Sequence, residues 1–442
     1  MMTRRRLLRA AAATTAALLV SRNASGRGRT PYGGRIALHV PWPLGSLDPH
    51  RIDDAAAAFF GDALFDTLYA RDEAGGFVPS LAESDPEPNG GTLRVTLRKG
   101  VRFAAGSALD ARAAAASLSR ARTHDAAAWL ADVPVPRIEP DALVFAMSDS
   151  GKLVRALASP LVAVVPPRFT PERPDGTGPF HAQPEVGELL LVRNTLAASG
   201  PAFLDGIEAR HSTDLVTSLR AFESGADDMG WLGSFLHEPR QGVRSFDAGV
   251  VAWAILRTGR EAAGLDAPGT AQALADGVPH AALASLVVGP PWDQSTARWT
   301  GAPSDLFVRE DAAWLVDVAR TVAVALATPG HEITPRLVPG AEIVQRRTTR
   351  AYALMVDVAR PAGPTAIGTL IGLATADDPT IAMGLARHPP RGEISPRTAT
   401  RTMRIGVVGE IRMEGGRAAD VVVPSSNWGH GIDWGRAFRA RR

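Results

Sequence analysis

Residues 93–103 read Leu93-Arg94-Val95-Thr96-Leu97-Arg98-Lys99-Gly100-Val101-Arg102-Phe103. From Leu93 to Arg98 apolar and polar side chains alternate, which is the period of a half-buried strand. Lys99-Gly100 ends the run, and Val101-Arg102-Phe103 resumes it. Asp110 then stands where an N-cap is needed for an alanine-rich helix from Ala111 to about Arg122. A strand followed closely by a helix is the start of a mixed α/β or α+β unit.

The same pattern continues on both sides. Ile36–Val40 reads as a first strand ending at Pro41. Residues 53–69 place Phe59, Phe60, Leu64, Phe65 and Leu68 at helical spacing. Downstream, Asp141–Met147 and Leu161–Val165 read as strands, with a short helix over Leu153–Leu157. Residues 167–179 are rich in Pro and Gly and read as a loop. Leu189–Val192, Ile207–Ala209 and Val250–Ile255 read as strands, and Asp214–Glu223 as a helix. Residues 267–288 read as helical with breaks at Gly277-Val278-Pro279. Asp311–Ala327 reads as a helix, with Trp314 in the core. Ile343–Val344 and Tyr352–Val358 read as strands, and Pro364–Leu373 as a helix. Ile405–Val408 and Ile411–Met413 read as a hairpin over Gly409-Glu410. No repeat of solenoid or propeller length is present.

The 442 residues are too many for one ordinary domain. Hydrophobic residues at 45% and charged residues at 21% belong to a folded globular chain, which excludes disorder as its main state. The net charge of +2 is misleading, because residues 1–26 hold five arginines and no acid. Subtracting those five from +2 leaves −3. The basic balance therefore gives no argument for nucleic acid. With no cysteine there is no disulfide, no thiolate nucleophile or metal site, and no lipid-modified N-terminal Cys.

The N-terminus reads as an address. Thr3-Arg4-Arg5-Arg6-Leu7-Leu8-Arg9 precedes a weakly apolar run from Ala10 to Val20. That run is too short to span a bilayer. Thr-Arg-Arg-x-Leu-Leu-Arg looks like a twin-arginine export signal, and Ala24-Ser25-Gly26 offers small residues for cleavage. The expectation is a signal peptide over 1–26 and a soluble periplasmic protein that is not a lipoprotein. No other stretch has the length and apolarity of a membrane span.

Signatures for chemistry are missing. There is no G-x-S-x-G elbow and no Walker loop. Pro179 breaks the helix that Gly176-Thr177-Gly178 would need to open for a dinucleotide. His331-Glu332 lacks a second His at the zincin spacing. Asp227-Asp228 and Asp377-Asp378 read as caps before they read as acid–base pairs. No enzyme, cofactor or metal is expected. Trp42 and Trp231 stand beside turns rich in Gly or Pro, where a flat side chain can line a cleft, and both are candidate ligand contacts.

Several segments, in order, resemble family 5 of the bacterial extracellular solute-binding proteins, the oligopeptide, dipeptide and nickel binders. Leu47-Asp48-Pro49-His50 is similar to an early LDP turn. Leu64-Phe65-Asp66-Thr67-Leu68 and Val78–Ser84 are similar to the segments that follow it. Leu93–Phe103 with Gly106–Leu109 is similar to "FxLRxGVKFxDGxPL", and 111–121 to the family helix after it. Gly176-Thr177-Gly178-Pro179-Phe180 is similar to "GTGPY". Arg193-Asn194 and Phe222–Asp228 complete the series.

The resemblance implies an α/β fold of the type II periplasmic binding protein kind, with two lobes around a cleft plus an extra subdomain. It divides the chain into lobe I from 34–60, 175–245 and 400–442, lobe II from 61–174, and a shorter, divergent lobe III from 246–399. The implied function is delivery of a peptide-like ligand to an ABC permease by cleft closure. The partners would be a peptide or other small solute and the permease subunits, with the binding protein itself a monomer. The family's acid for a peptide amino terminus finds its counterpart in Asp357 of Tyr352-Ala353-Leu354-Met355-Val356-Asp357, without the family's Trp and following Asp-Pro. The helix that opens the third lobe also lacks its Arg and Asp-Arg pair. Two other readings follow from these departures: a degenerate binder serving as a sensor or accessory subunit, and an exported hydrolase.

Overall fold

The computed structural model describes residues 31–440 apart from 41, 46, 186, 213–214, 232–241, 263, 284–291, 364, 391, 393 and 428–430. The signal-like segment 1–26 lies outside the described residues. The strands and helices that position the cleft are β1 (Arg35–Val40), α1 (Ala55–Leu64), β2 (Thr92–Thr96), α2 (Ala111–Thr123), β3 (Ala142–Phe145), β4 (Phe180–Glu185), β5 (Glu188–Arg193), β6 (Gly206–His211), β7 (Met229–Trp231), β8 (Val243–Thr258), β9 (Ser304–Arg309), α3 (Ala313–Leu326), β10 (Ile333–Val338), α4 (Gly340–Thr349), β11 (Leu354–Ala359), α5 (Ala366–Asp377) and β12 (Ile405–Ala418).

Ten strands form one sheet in the order β10-β9-β11-β8-β12-β7-β1-β6-β5-β4. Its centre is the antiparallel pair of long strands, β8 with 16 residues and β12 with 14. One half of the sheet, around β1, lies to one side of this pair. The other half, around β11, lies to the other. A separate four-stranded sheet holds β2 and β3, and the alanine-rich α2 packs against it.

The second half of β8, from Val251 on, and the whole of β11 are buried on both faces. Ala254, Leu256 and Val356 point to one side, where Trp314, Leu315, Val318 and Val322 of α3 cover them. Trp253 and Ile255 point to the other, against Ile371 and Leu373 of α5 and the core of the four-stranded sheet. Period-two alternation delivers consecutive residues to opposite cores.

Four local expectations change. Helix α1 stops at Leu64, before the expected Tyr69, because the 176–178 loop takes over its end. The Gly178 N–H donates to the Leu64 carbonyl at 3.0 Å. A continuing helix would need that carbonyl for Leu68. The expected hairpin at Gly409-Glu410 is one continuous strand, with a bulge in its place. Val407 pairs with Ile255 and Gly409 with Ala254, which leaves Val408 as the extra residue. Ile343-Val344 lies in α4, where Glu342 accepts from Arg346 one turn on at 2.8 Å. Two adjacent apolar residues carry no period. Leu161–Val165 likewise begins as a single 3-10 turn over Pro160–Val162.

Candidate functional site

A cavity of about 560 Å³ lies between the two halves of the large sheet. One wall comes from the end of β1 and the start of α1: Trp42, Pro43, Asp48, Arg51 and Asp53–Ala56, with Arg120 and His124 behind them. The opposite wall comes from Arg309, Asp311 and Trp314 after β9, from Ala341 and Ile343 of α4, and from Asp357 and Val358 of β11.

Each wall is built by short-range rules. Asp54 is the N-cap of α1 and accepts from the Ala57 N–H at 2.7 Å and the Asp48 N–H at 2.8 Å. Burial pushes its carboxyl up to about 6. Asp48 takes a bidentate pair from Arg120 at 2.9 and 2.7 Å, and its Oδ1 also accepts from the His50 N–H. Burial pushes the Asp48 carboxyl up, but the Arg120 guanidinium outweighs it and leaves the group below its ordinary value. Asp48 and His50 belong to the Leu-Asp-Pro-His turn, and Arg120 reaches both, so the turn is a docking point for α2.

Arg51, Asp53 and Asp357 of the lining belong to a chain of alternating charges. Arg51 Nε lies 3.1 Å from Asp53 Oδ1, and Arg347 Nη1 lies 2.7 Å from Asp53 Oδ2. Arg347 Nη1 is also 3.3 Å from Asp357 Oδ2, which receives Arg257 Nε at 3.0 Å. Burial disfavours the charge on Asp53, but Arg347 and Arg51 hold it well below the usual carboxylate range. Burial likewise works against the Arg347 cation, and Asp53 and Asp357 more than restore it. Nearby, Arg360 binds the carbonyls of Pro49 and Arg51, the latter at 2.8 Å, and its N–H reaches Ile52 O at 2.9 Å.

The cavity brings together two of the three residues singled out in the sequence. Trp42 is 2% exposed and packs edge-on against Phe59, with ring centroids 5.3 Å apart. Asp357 is 3% exposed and held by two arginines. Trp231 ends β7, and its side chain lies outside the described residues. Arg347, Arg257 and Asp53 carry no sequence signature. Only the unusual placement of Arg257 within the apolar run of β8 signals a buried charge.

The paired acids do structural work. Asp227 bonds His39 at 2.5 Å, and Asp228 accepts from the Ala37 N–H at 3.0 Å, so both fasten β1. Asp378 caps the helix Pro379–Arg387, and Asp377 accepts from the Arg404 N–H at 3.1 Å. Among the described residues no group of three or more His, Asp or Glu is arranged to hold a metal ion. No helix among them is long and apolar enough to cross a membrane. On the other flank of α1 a second cavity of about 430 Å³ is lined by Asp62, Asp66 and Asp433 among others.

The model of the bacterial extracellular solute-binding proteins, family 5 Middle, matches residues 76–237. Over residues 76–237 the chain carries the sequence signature of that family. Among solved structures, the oligopeptide-binding protein AppA from Bacillus subtilis, in complex with a nonapeptide, aligns at TM-score 0.68 and 13% identity. That alignment covers 93% of this chain and 100% of that one. The periplasmic binding protein DppA from Helicobacter pylori, in complex with the peptide STSA, gives 0.67 and 13%, covering 93% and 99%. NikA from Staphylococcus aureus, in complex with Ni(L-His)2, gives 0.63 and 15%, covering 92% and 99%. No curated protein sequence matches the chain. These neighbours share the α/β fold of type II binding proteins, and in this chain the 560 Å³ cavity lies between the two halves of the large sheet.

Proposed function

We propose that this chain is an exported, soluble solute-binding protein that delivers a peptide-like or other small solute to an ABC permease. The observation that carries the reading is the cavity between the two halves of the large sheet. Its volume falls in the range of small-ligand sites, and its walls belong to segments far apart in sequence. A solute held by both walls favours the closed arrangement over an open one in proportion to the contacts it makes only there. Trp42 and Asp357 are the proposed lining residues, one apolar and one polar. The arginine-rich segment Thr3–Arg9 supports export, and the absence of cysteine supports release in soluble form. The extra subdomain around β2, β3 and α2 buttresses the first wall through Arg120 and Asp48.

A thermal-shift screen of the full chain against mixed di- to pentapeptides tests this, with an Ala341→Trp variant as control. Ala341 is exposed and lines the cavity, so a Trp there fills it without disturbing a core. A stabilisation seen in the natural chain and lost in the variant supports the proposal. Equal shifts in both place binding elsewhere and count against it.

A further inference from the structure

Arg347 bonds two carboxylates that line the cavity, Asp53 at 2.7 Å and Asp357 at 3.3 Å. Asp357 Oδ1 accepts from the Val358 N–H at 2.9 Å, and Oδ2 receives Arg257 at 3.0 Å and Arg347 at 3.3 Å. A carboxylate offers about four lone-pair positions, so three of them are spent. The four other aspartates of the cavity are engaged as well. Asp53 has Arg51 and Arg347, Asp48 has Arg120, and Asp54 accepts two backbone N–H groups. Asp311 holds Arg309 at 2.6 and 2.7 Å. Glu172 also lines the cavity and is exposed.

The pairing is buried. Side-chain exposure is 2% for Arg257, 5% for Asp357, 14% for Arg347 and 12% for Asp53. An ammonium entering here would meet two guanidiniums around one carboxylate, and like charges at such distances repel strongly away from water. Expelling Arg347 would instead strip Asp53 of its shortest ion-pair contact.

We infer that Arg347 is a built-in cation that takes, at Asp357, the place a ligand's ammonium would need, and that this cleft takes solutes whose inserted end is neutral or anionic. The inference rests on the reading of the cavity as the solute site. It narrows that reading by setting aside the free amino terminus of a peptide as the anchoring group.

Cation rescue of the full chain tests it without knowledge of the natural solute. The probe is methylguanidine at non-denaturing millimolar concentration, read by thermal shift and by calorimetric titration, on wild type and on Arg347→Ala. The variant should bind methylguanidine at least about tenfold more tightly than wild type does. Asp53→Asn in the same background should weaken that binding. Equal binding by wild type and variant would show that Asp357 is already open to cations and overturn the inference. Binding by neither would show that Arg347 holds no cation site, and would overturn it too. Should Arg347→Ala fail to fold, Arg347→Gln carries the same comparison. A chain that never binds a solute would fail the transport reading and still give an answer here.

Discussion

Arg347 Nη1 lies 2.7 Å from Asp53 Oδ2, across a separation of 294 positions in the chain. Asp53 lies on one wall of the cavity, and Arg347 also touches Asp357 on the opposite wall, whose strand β11 pairs with the long strand β8. One guanidinium thus ties the start of α1, the helix α4 and the centre of the sheet into a single charged unit.

The inner end of this unit should be costly to break from one side. Asp357→Ala leaves Arg257 buried beside an apolar core with its main counter-charge gone. The expected loss is about 3–5 kcal/mol in urea unfolding. Replacing both partners, as in Arg257→Met with Asp357→Leu, should recover most of it. A double variant as unstable as the single one would contradict the pairing.

Asp62 makes stability depend on pH. Burial pushes its carboxyl up to about 6, while its Oδ2 accepts from Ser426 at 2.9 Å. The folded state therefore binds this proton more tightly than the unfolded state does, whose value is near 3.8. Stability falls as pH rises between those values and stays lowered above them. Asp62→Asn should be more stable than wild type at pH 8, by up to about 2 kcal/mol. The difference should vanish below about pH 4, where both forms are neutral. Unfolding midpoints at several pH values check the sign.

The Gly-Thr-Gly-Pro-Phe loop is built on close approach. A Cβ at Gly178 would lie 2.6 Å from the Leu64 carbonyl carbon, and one at Gly176 would lie 2.1 Å from the Leu64 oxygen. Gly178→Ala should cost about 3 kcal/mol, because backbone and not a flexible side chain must move. Gly187→Ala is a weaker control for space, since nothing stands within 4 Å, although its φ of +75° adds strain of its own.

Trp42 separates packing from binding. Phe59 packs against it, and in turn meets Phe60 edge-on and Trp434 at a tilt, so truncation empties the first core beside the cavity. Trp42→Ala should cost about 3–5 kcal/mol. Trp42→Phe should keep most of the stability while changing the cavity wall. Thermal melts of both variants distinguish the two roles.

Much of the fold was legible from periodicity. The alternation that starts at Leu93, the Asp110 cap and the helical spacing of Trp314, Leu315, Val318 and Val322 all correspond to observed elements. Two of the misread elements share one cause: a partner remote in sequence overrode the local signal. Leu64 gave its carbonyl to Gly178, and residues 409–413 stayed extended because β8 runs the full length beside them. β9 and β10 escaped notice for a similar reason, since parallel strands gain their order from neighbours. Trp42 and Asp357 were readable as candidates from a turn and from a family resemblance. Arg347 was not, because a surface-patterned helix gives no hint that one of its arginines reaches Asp53.

The most direct test is native mass spectrometry of the full chain, purified from an exporting host without denaturation, beside the Ala341→Trp variant. The account predicts a small-molecule adduct on the natural chain, lost on denaturation and absent from the variant. A natural chain that carries no adduct, or a variant that retains the same one, would contradict solute binding in the cavity between the two halves.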